Sequence, residues 1–133
     1  MPSFFRFYLA ALLLVFASPL AAQELKPMDT STVNPELLED MYGTWEVSDA
    51  EGAKRCEVTL KKEPTIGGNE IEVAEDCAKT FPVMDDITAW RLYEGWTIGF
   101  ADATRKLRIH FFTPDERYVA EPEVDGISTI AKK

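Results

Sequence analysis

From Thr44 to the end of the chain, apolar side chains recur at alternate positions, and this period of two narrows the fold more than any other feature. A half-buried strand requires it, because successive side chains point to opposite faces, whereas a helix face repeats about every 3.6 residues. The runs are Trp45 and Val47; Cys56, Val58 and Leu60; Ile71 and Val73; Trp90 and Leu92; Trp96, Ile98 and Phe100; Leu107, Ile109 and Phe111; Tyr118 and Ala120; and Ile127 with Ile130 in looser register. Turn-forming residues fall between them: Gly67-Gly68, Glu94-Gly95, Asp102-Ala103-Thr104, Pro114-Asp115 and Asp125-Gly126. The reading is all-β: about eight short strands in consecutive hairpins, closed into an antiparallel up-and-down barrel. Closure removes the exposed edges of an open meander. A sandwich is the alternative. Residues 77–86 lack alternation and are expected to cross one barrel end as a loop with a helical turn.

Ahead of the strands, residues 35–42 suit a short helix. Asn34 caps it, Pro35 takes the first position, acidic residues occupy the first turn and Gly43 ends it. Leu37, Leu38 and Met41 then share a face that plugs one end of the body. Residues 23–35 form a polar leader with Pro27, Pro35 and Thr30-Ser31-Thr32, expected to be extended or mobile rather than packed. Residues 1–22 have the three regions of a secretory signal: Arg6, an apolar run over 7–17, and the small-residue end Ser18-Pro19-Leu20-Ala21-Ala22. That run is far shorter than the roughly 20 residues of a membrane span. No cysteine stands at the junction to take a lipid, so no membrane anchor is expected after cleavage behind Ala22. The predicted organisation is a signal peptide over 1–22, a leader over 23–35 and one barrel domain over 36–133.

The remaining 111 residues are one domain's length. They hold 13 Lys and Arg against 23 Asp and Glu, a formal charge of −10 that repels nucleic acid and anionic lipid. Twenty residues separate Cys56 from Cys77. In the oxidising compartment that a signal peptide implies, a disulfide closing this loop stabilises the fold by about 3 kcal/mol. A metal or redox pair is the competing reading, but a zinc site takes about four ligands and no CxxC spacing is present.

Groups that could perform catalysis are scarce. His110, the only histidine, sits mid-strand between Ile109 and Phe111 without a motif around it. There is no phosphate loop, GxSxG elbow or HExxH. Asp85-Asp86 and Glu75-Asp76 lack the alternate-position ligands of a calcium loop and read as solvated turns. No enzyme, cofactor or resident metal is expected.

Several segments, in order, resemble the alkaline proteinase inhibitors of Gram-negative bacteria and related outer-membrane lipoproteins. They are Thr44-Trp45, Arg55-Cys56-Glu57-Val58-Thr59-Leu60, Asp76-Cys77, Ala89-Trp90-Arg91, Glu94-Gly95-Trp96-Thr97-Ile98, His110-Phe111-Phe112, Arg117-Tyr118 and Val124-Asp125-Gly126. The similarity runs from about Asn34 to Lys133. It implies a monomeric eight-stranded, lipocalin-like barrel bridged by Cys56 and Cys77, secreted or periplasmic, that inhibits zinc metalloproteases of the serralysin type. In that family a short N-terminal trunk enters the protease cleft, and its first residue reaches the catalytic zinc.

Counting back from Trp45, the family's free N-terminus falls at Ser31-Thr32-Val33, next to Asn34, whereas cleavage behind Ala22 leaves eight more residues ahead of Ser31. Three arrangements follow. Gln23-Glu24-Leu25 is the inserting end of a longer trunk, or trimming exposes Ser31, or an internal loop meets the protease without supplying an amine. Cyclisation of Gln23 to pyroglutamate would remove the basic nitrogen. The alternatives in function are a lipocalin-like carrier of a small apolar ligand and an envelope-associated protein without inhibitory activity.

Overall fold

The alternating runs become eight antiparallel strands: β1 (Gly43–Asp49), β2 (Arg55–Thr65), β3 (Gly68–Val73), β4 (Ile87–Tyr93), β5 (Thr97–Asp102), β6 (Leu107–Phe112), β7 (Tyr118–Val124) and β8 (Ile127–Lys132). Each pairs with the next, and β1 also pairs with β8, so the sheet closes into a barrel. The computed structural model describes residues 25–133; the expected signal peptide, Gln23 and Glu24 lie outside them.

The pairing register carries the alternation across neighbouring strands. Trp45 faces Val58, Val47 faces Cys56 on one side and Ile130 on the other, and Phe100 faces Ile109. All of these side chains are buried, and Trp90, Phe100, Phe111, Leu60 and Ile98 fill the interior with them. Phe100 and Phe111 meet edge to face with centroids 5.3 Å apart, the favoured aromatic geometry. This filled interior weighs against the carrier reading, which needs a ligand-sized hollow.

The two barrel ends are closed differently. At the end where β1 finishes and β2 begins, helix α2 (Cys77–Thr80) and the 3-10 turn Pro82–Asp86 cross over the opening, as residues 77–86 were expected to do. Phe81, Val83 and Met84 point into the core. The crossing is tied down twice. Cys56 on β2 is bonded to Cys77, with Cα atoms 5.2 Å apart, and the Val83 amide donates to the Asp125 carboxylate at 2.6 Å. Asp125 can offer that oxygen because Asp125-Gly126 forms a hairpin turn with both φ values positive, 52° and 82°, as the tight two-residue loop requires.

At the opposite end, helix α1 (Pro35–Glu39) leads into β1. Met41 is buried there, its carbonyl accepting from Trp45 Nε1 at 2.8 Å. Two details differ from the sequence reading. Leu37 is 49% exposed and does not share the plug with Met41, because α1 ends at Glu39 and the following turn breaks the helical face. Trp96 lies outside β5, in the turn at φ 63°, where it is only partly buried against the core.

Asp102 closes the β5–β6 turn. Its carboxylate accepts from the Thr104 hydroxyl at 2.6 Å, the Thr104 amide at 2.9 Å and the Lys106 amide at 3.0 Å. The Thr104 hydroxyl is the largest of the influences that lower its pKa from 3.8 to about 2. A lowered carboxyl pKa means that the turn's stabilisation is present above 3.8 and lost as pH falls toward 2. Denaturant titrations should therefore show Asp102→Asn less stable than the parent at neutral pH, with the difference shrinking as pH drops from about 5 toward 2. Replacing both Cys56 and Cys77 with alanine should cost about 3 kcal/mol and lower Tm by about 10 °C in thermal scans.

Candidate functional site

Strand β3 is shorter than its neighbour, and that difference creates the site. It pairs with β4 only through Asn69 with Trp90 and Glu70 with Ala89, so the last residues of β4 lack a partner from β3. The leader supplies one. The Met28 amide donates to the Leu92 carbonyl at 3.1 Å, and the Glu94 amide donates to the Lys26 carbonyl at 2.7 Å. Between these bonds Pro27 stands opposite Tyr93 as an isolated antiparallel bridge. In such a pair the two central residues exchange no hydrogen bond, so the missing proline N–H costs nothing.

The sequence predicts a leader that is extended or mobile rather than packed. Residues 26–28 are extended, but they are also held, with Met28 half-buried against the core. Beyond them the chain coils. Asp29 caps the 3-10 turn Thr30–Thr32, accepting from the Ser31 amide at 3.1 Å and the Ser31 hydroxyl at 2.6 Å, and the Thr32 hydroxyl donates to the Asp29 carbonyl at 2.9 Å. Val33 ends this turn, and the Asn34 side chain caps α1 by accepting from the Glu36 amide at 3.0 Å. The expected trunk residues thus separate into classes. Ser31, Thr32 and Val33 belong to a coiled turn, Asn34 to a helix cap, and Leu25 to the start of the extended stretch, whereas Gln23 and Glu24 are outside the described residues.

Leu25 lies at the rim of a groove of about 760 Å³ on the outer face of β5, β6 and β7, with His110, Phe112, Val119 and Pro122 along it. His110 contacts Phe112 edge to face at 4.7 Å. Burial is the larger influence on its imidazole and lowers the pKa; the nearby Glu121 opposes it. Among the described residues no group of three or more His, Cys, Asp or Glu is placed to hold a metal ion. A second cleft, of about 470 Å³, opens between the leader, α1 and the β2–β3 turn. Sequence reading missed both the leader's anchor and this cleft. Pro27 and the Gly67-Gly68 turn were visible in the sequence, but only as breaks in the pattern.

Fold and site together define a small barrel with a packed interior, whose unusual surface is an N-terminal strap at one end. The family model for protease inhibitor Inh matches residues 36–131, more than two thirds of the chain, and the chain belongs to that family. Comparison with curated proteins gave no match.

If the strap completes the edge of β4, removing the residues ahead of Asn34 should speed hydrogen exchange at the Glu94 amide by about tenfold, the worth of roughly one hydrogen bond. Exchange at Val47 and Phe100 should not change.

Proposed function

We propose that this protease inhibitor acts on zinc metalloproteases of the serralysin type, by placing its N-terminal arm in the active-site cleft. The arm begins at Gln23, after removal of a signal peptide, and the protein works as a monomer in the periplasm or outside the cell. An extended peptide can pair with the strand edge that lines a protease cleft. A catalytic zinc keeps one coordination position open, and a terminal amine with a pKa of about 8 is partly deprotonated at neutral pH and able to fill it.

The observation that carries this reading is the anchor at residues 26–28. The extended stretch of the leader is clamped to the β4–β5 hairpin by two main-chain hydrogen bonds, so the chain ahead of it starts from a fixed point on a stiff body. With residues 26–28 already fixed, less conformational entropy is left to lose there when the arm binds. The coiling of Ser31, Thr32 and Val33 around Asp29 favours Gln23-Glu24-Leu25 over Ser31 as the inserting end. The barrel behind the anchor limits how deeply the arm can enter, which keeps it from being drawn through and cut.

The decisive measurement is titration of a serralysin-type protease with three forms: the protein as its cells process it, one starting at Ser31 and one starting at Pro35. The processed form should inhibit. The two shortened forms should be weaker by roughly a hundredfold, as expected for losing two or three main-chain hydrogen bonds of about 1 kcal/mol each. Stronger inhibition by the Ser31 form would assign the active terminus to trimming instead. Inactivity of all three would end the inhibitor reading, and N-terminal sequencing of the processed protein fixes its start.

A further inference from the structure

Five arginines lie among the described residues. Arg55, Arg108 and Arg117 each meet a carboxylate, at 3.3, 3.2 and 3.6 Å. Arg91 and Arg105 meet none among the described residues, although the chain carries 23 acidic side chains, and both line the same cleft of about 470 Å³. The β2–β3 turn holds them on either side of a bare floor. A Cβ on Gly68 would lie 3.1 Å from the Arg91 Cβ and 2.3 Å from the Trp90 carbonyl oxygen, and one on Gly67 would lie 3.9 Å from the Arg105 Cα. With no side chains at these two positions, the turn lies directly against β4 and the β5–β6 turn, next to both arginines.

The rest of the lining is uncharged: Thr30 from the leader, Thr65 and Asn69 from the β2–β3 hairpin and the Tyr42 phenol offer hydrogen bonds, and Met28, Leu38 and Leu92 add apolar surface. Burial, and then Glu39 and Glu63, raise the Tyr42 pKa; neither glutamate pairs with either arginine. At the tip of the same turn Ile66 is 62% exposed, and it and Leu37, beside the cleft-lining Leu38, are the large exposed hydrophobic residues among those described.

We propose that this cleft is a second contact with the target, receiving an aspartate or glutamate side chain from the surface of the protease that the arm enters; the partner's identity rests on the inhibitor reading. Guanidinium groups suit planar, two-pronged recognition of a carboxylate. Two arginines without a carboxylate partner among the described residues line one cleft, which suits a single acidic side chain, whereas a polyanion such as nucleic acid is repelled by a chain of net charge −9. Exposed Ile66 supplies an apolar contact beside the charged one, and the leader, which forms one wall, brings the cleft close to the arm.

The cleft can be tested with and without a protease. The ¹⁵N-labelled protein, as processed by its cells, is titrated with the capped peptide acetyl-Ala-Asp-Glu-Ala-amide and with its neutral counterpart acetyl-Ala-Asn-Gln-Ala-amide. The acidic peptide should produce saturable amide shifts at Gly67, Gly68, Asn69 and Arg105, the neutral one none, and the double variant R91E/R105E should lose the shifts while the remaining spectrum stays unchanged. Against a protease that the parent inhibits, R91E/R105E should bind roughly tenfold more weakly and show less dependence on salt. Absence of those shifts, shifts produced by inorganic phosphate but not by the peptide, or unaltered inhibition by the double variant would each overturn the proposal. If the parent inhibits no protease, the functional reading fails, and the peptide titration still decides whether the cleft takes a carboxylate.

Discussion

Pairing of β1 with β8 is the constraint on which the rest of the structure depends. Val47 opposite Ile130 and Trp45 opposite Lys132 complete a ring in which every strand has two neighbours, so each must present one face inward. Closure converts the period of two into a packed interior, and with eight strands that interior is about wide enough for side chains to fill. Trp90, Phe100, Phe111 and Phe81 fill it. The molecule's binding capacity therefore lies on its surface and at its ends.

The ends are built for different purposes. One is sealed by a crossing that sends Phe81, Val83 and Met84 into the core and is fastened by a disulfide and by the Asp125 carboxylate. The other carries the leader, α1 and the exposed Ile66, and the arginine cleft runs from there along the outside of the barrel to Arg105 in the β5–β6 turn. Residues 26–28 are fixed to the β4–β5 hairpin, so the conformational entropy of that stretch has been given up during folding.

How much was legible depends on whether a feature is local. Barrel architecture, the eight strands, the α1 cap at Asn34 and the crossing at 77–86 follow from residues close in sequence and from one repeating period. The leader's anchor does not, because it arises from β3 stopping short of the end of β4, a matter of register between two strands. Pro27 reads as a breaker of structure in the sequence and serves in the fold as the residue best suited to the one pair that needs no amide. The cleft arginines are separated by β5 and its flanking turns, and only the barrel brings Arg91 and Arg105 to the two sides of one glycine turn.

By itself, then, the amino-acid order determined what each stretch must do with its apolar side chains. It also determined where the chain turns and, through resemblance, the inhibitor family to which it belongs. Only the tertiary structure decided which strand end lacks a partner, that the leader fills that gap, and which arginines find no carboxylate among the described residues. The physical reason is that periodicity and turn chemistry act over a few residues, whereas an unpaired edge or an unneutralised charge is defined by what the rest of the folded chain brings, or fails to bring, beside it.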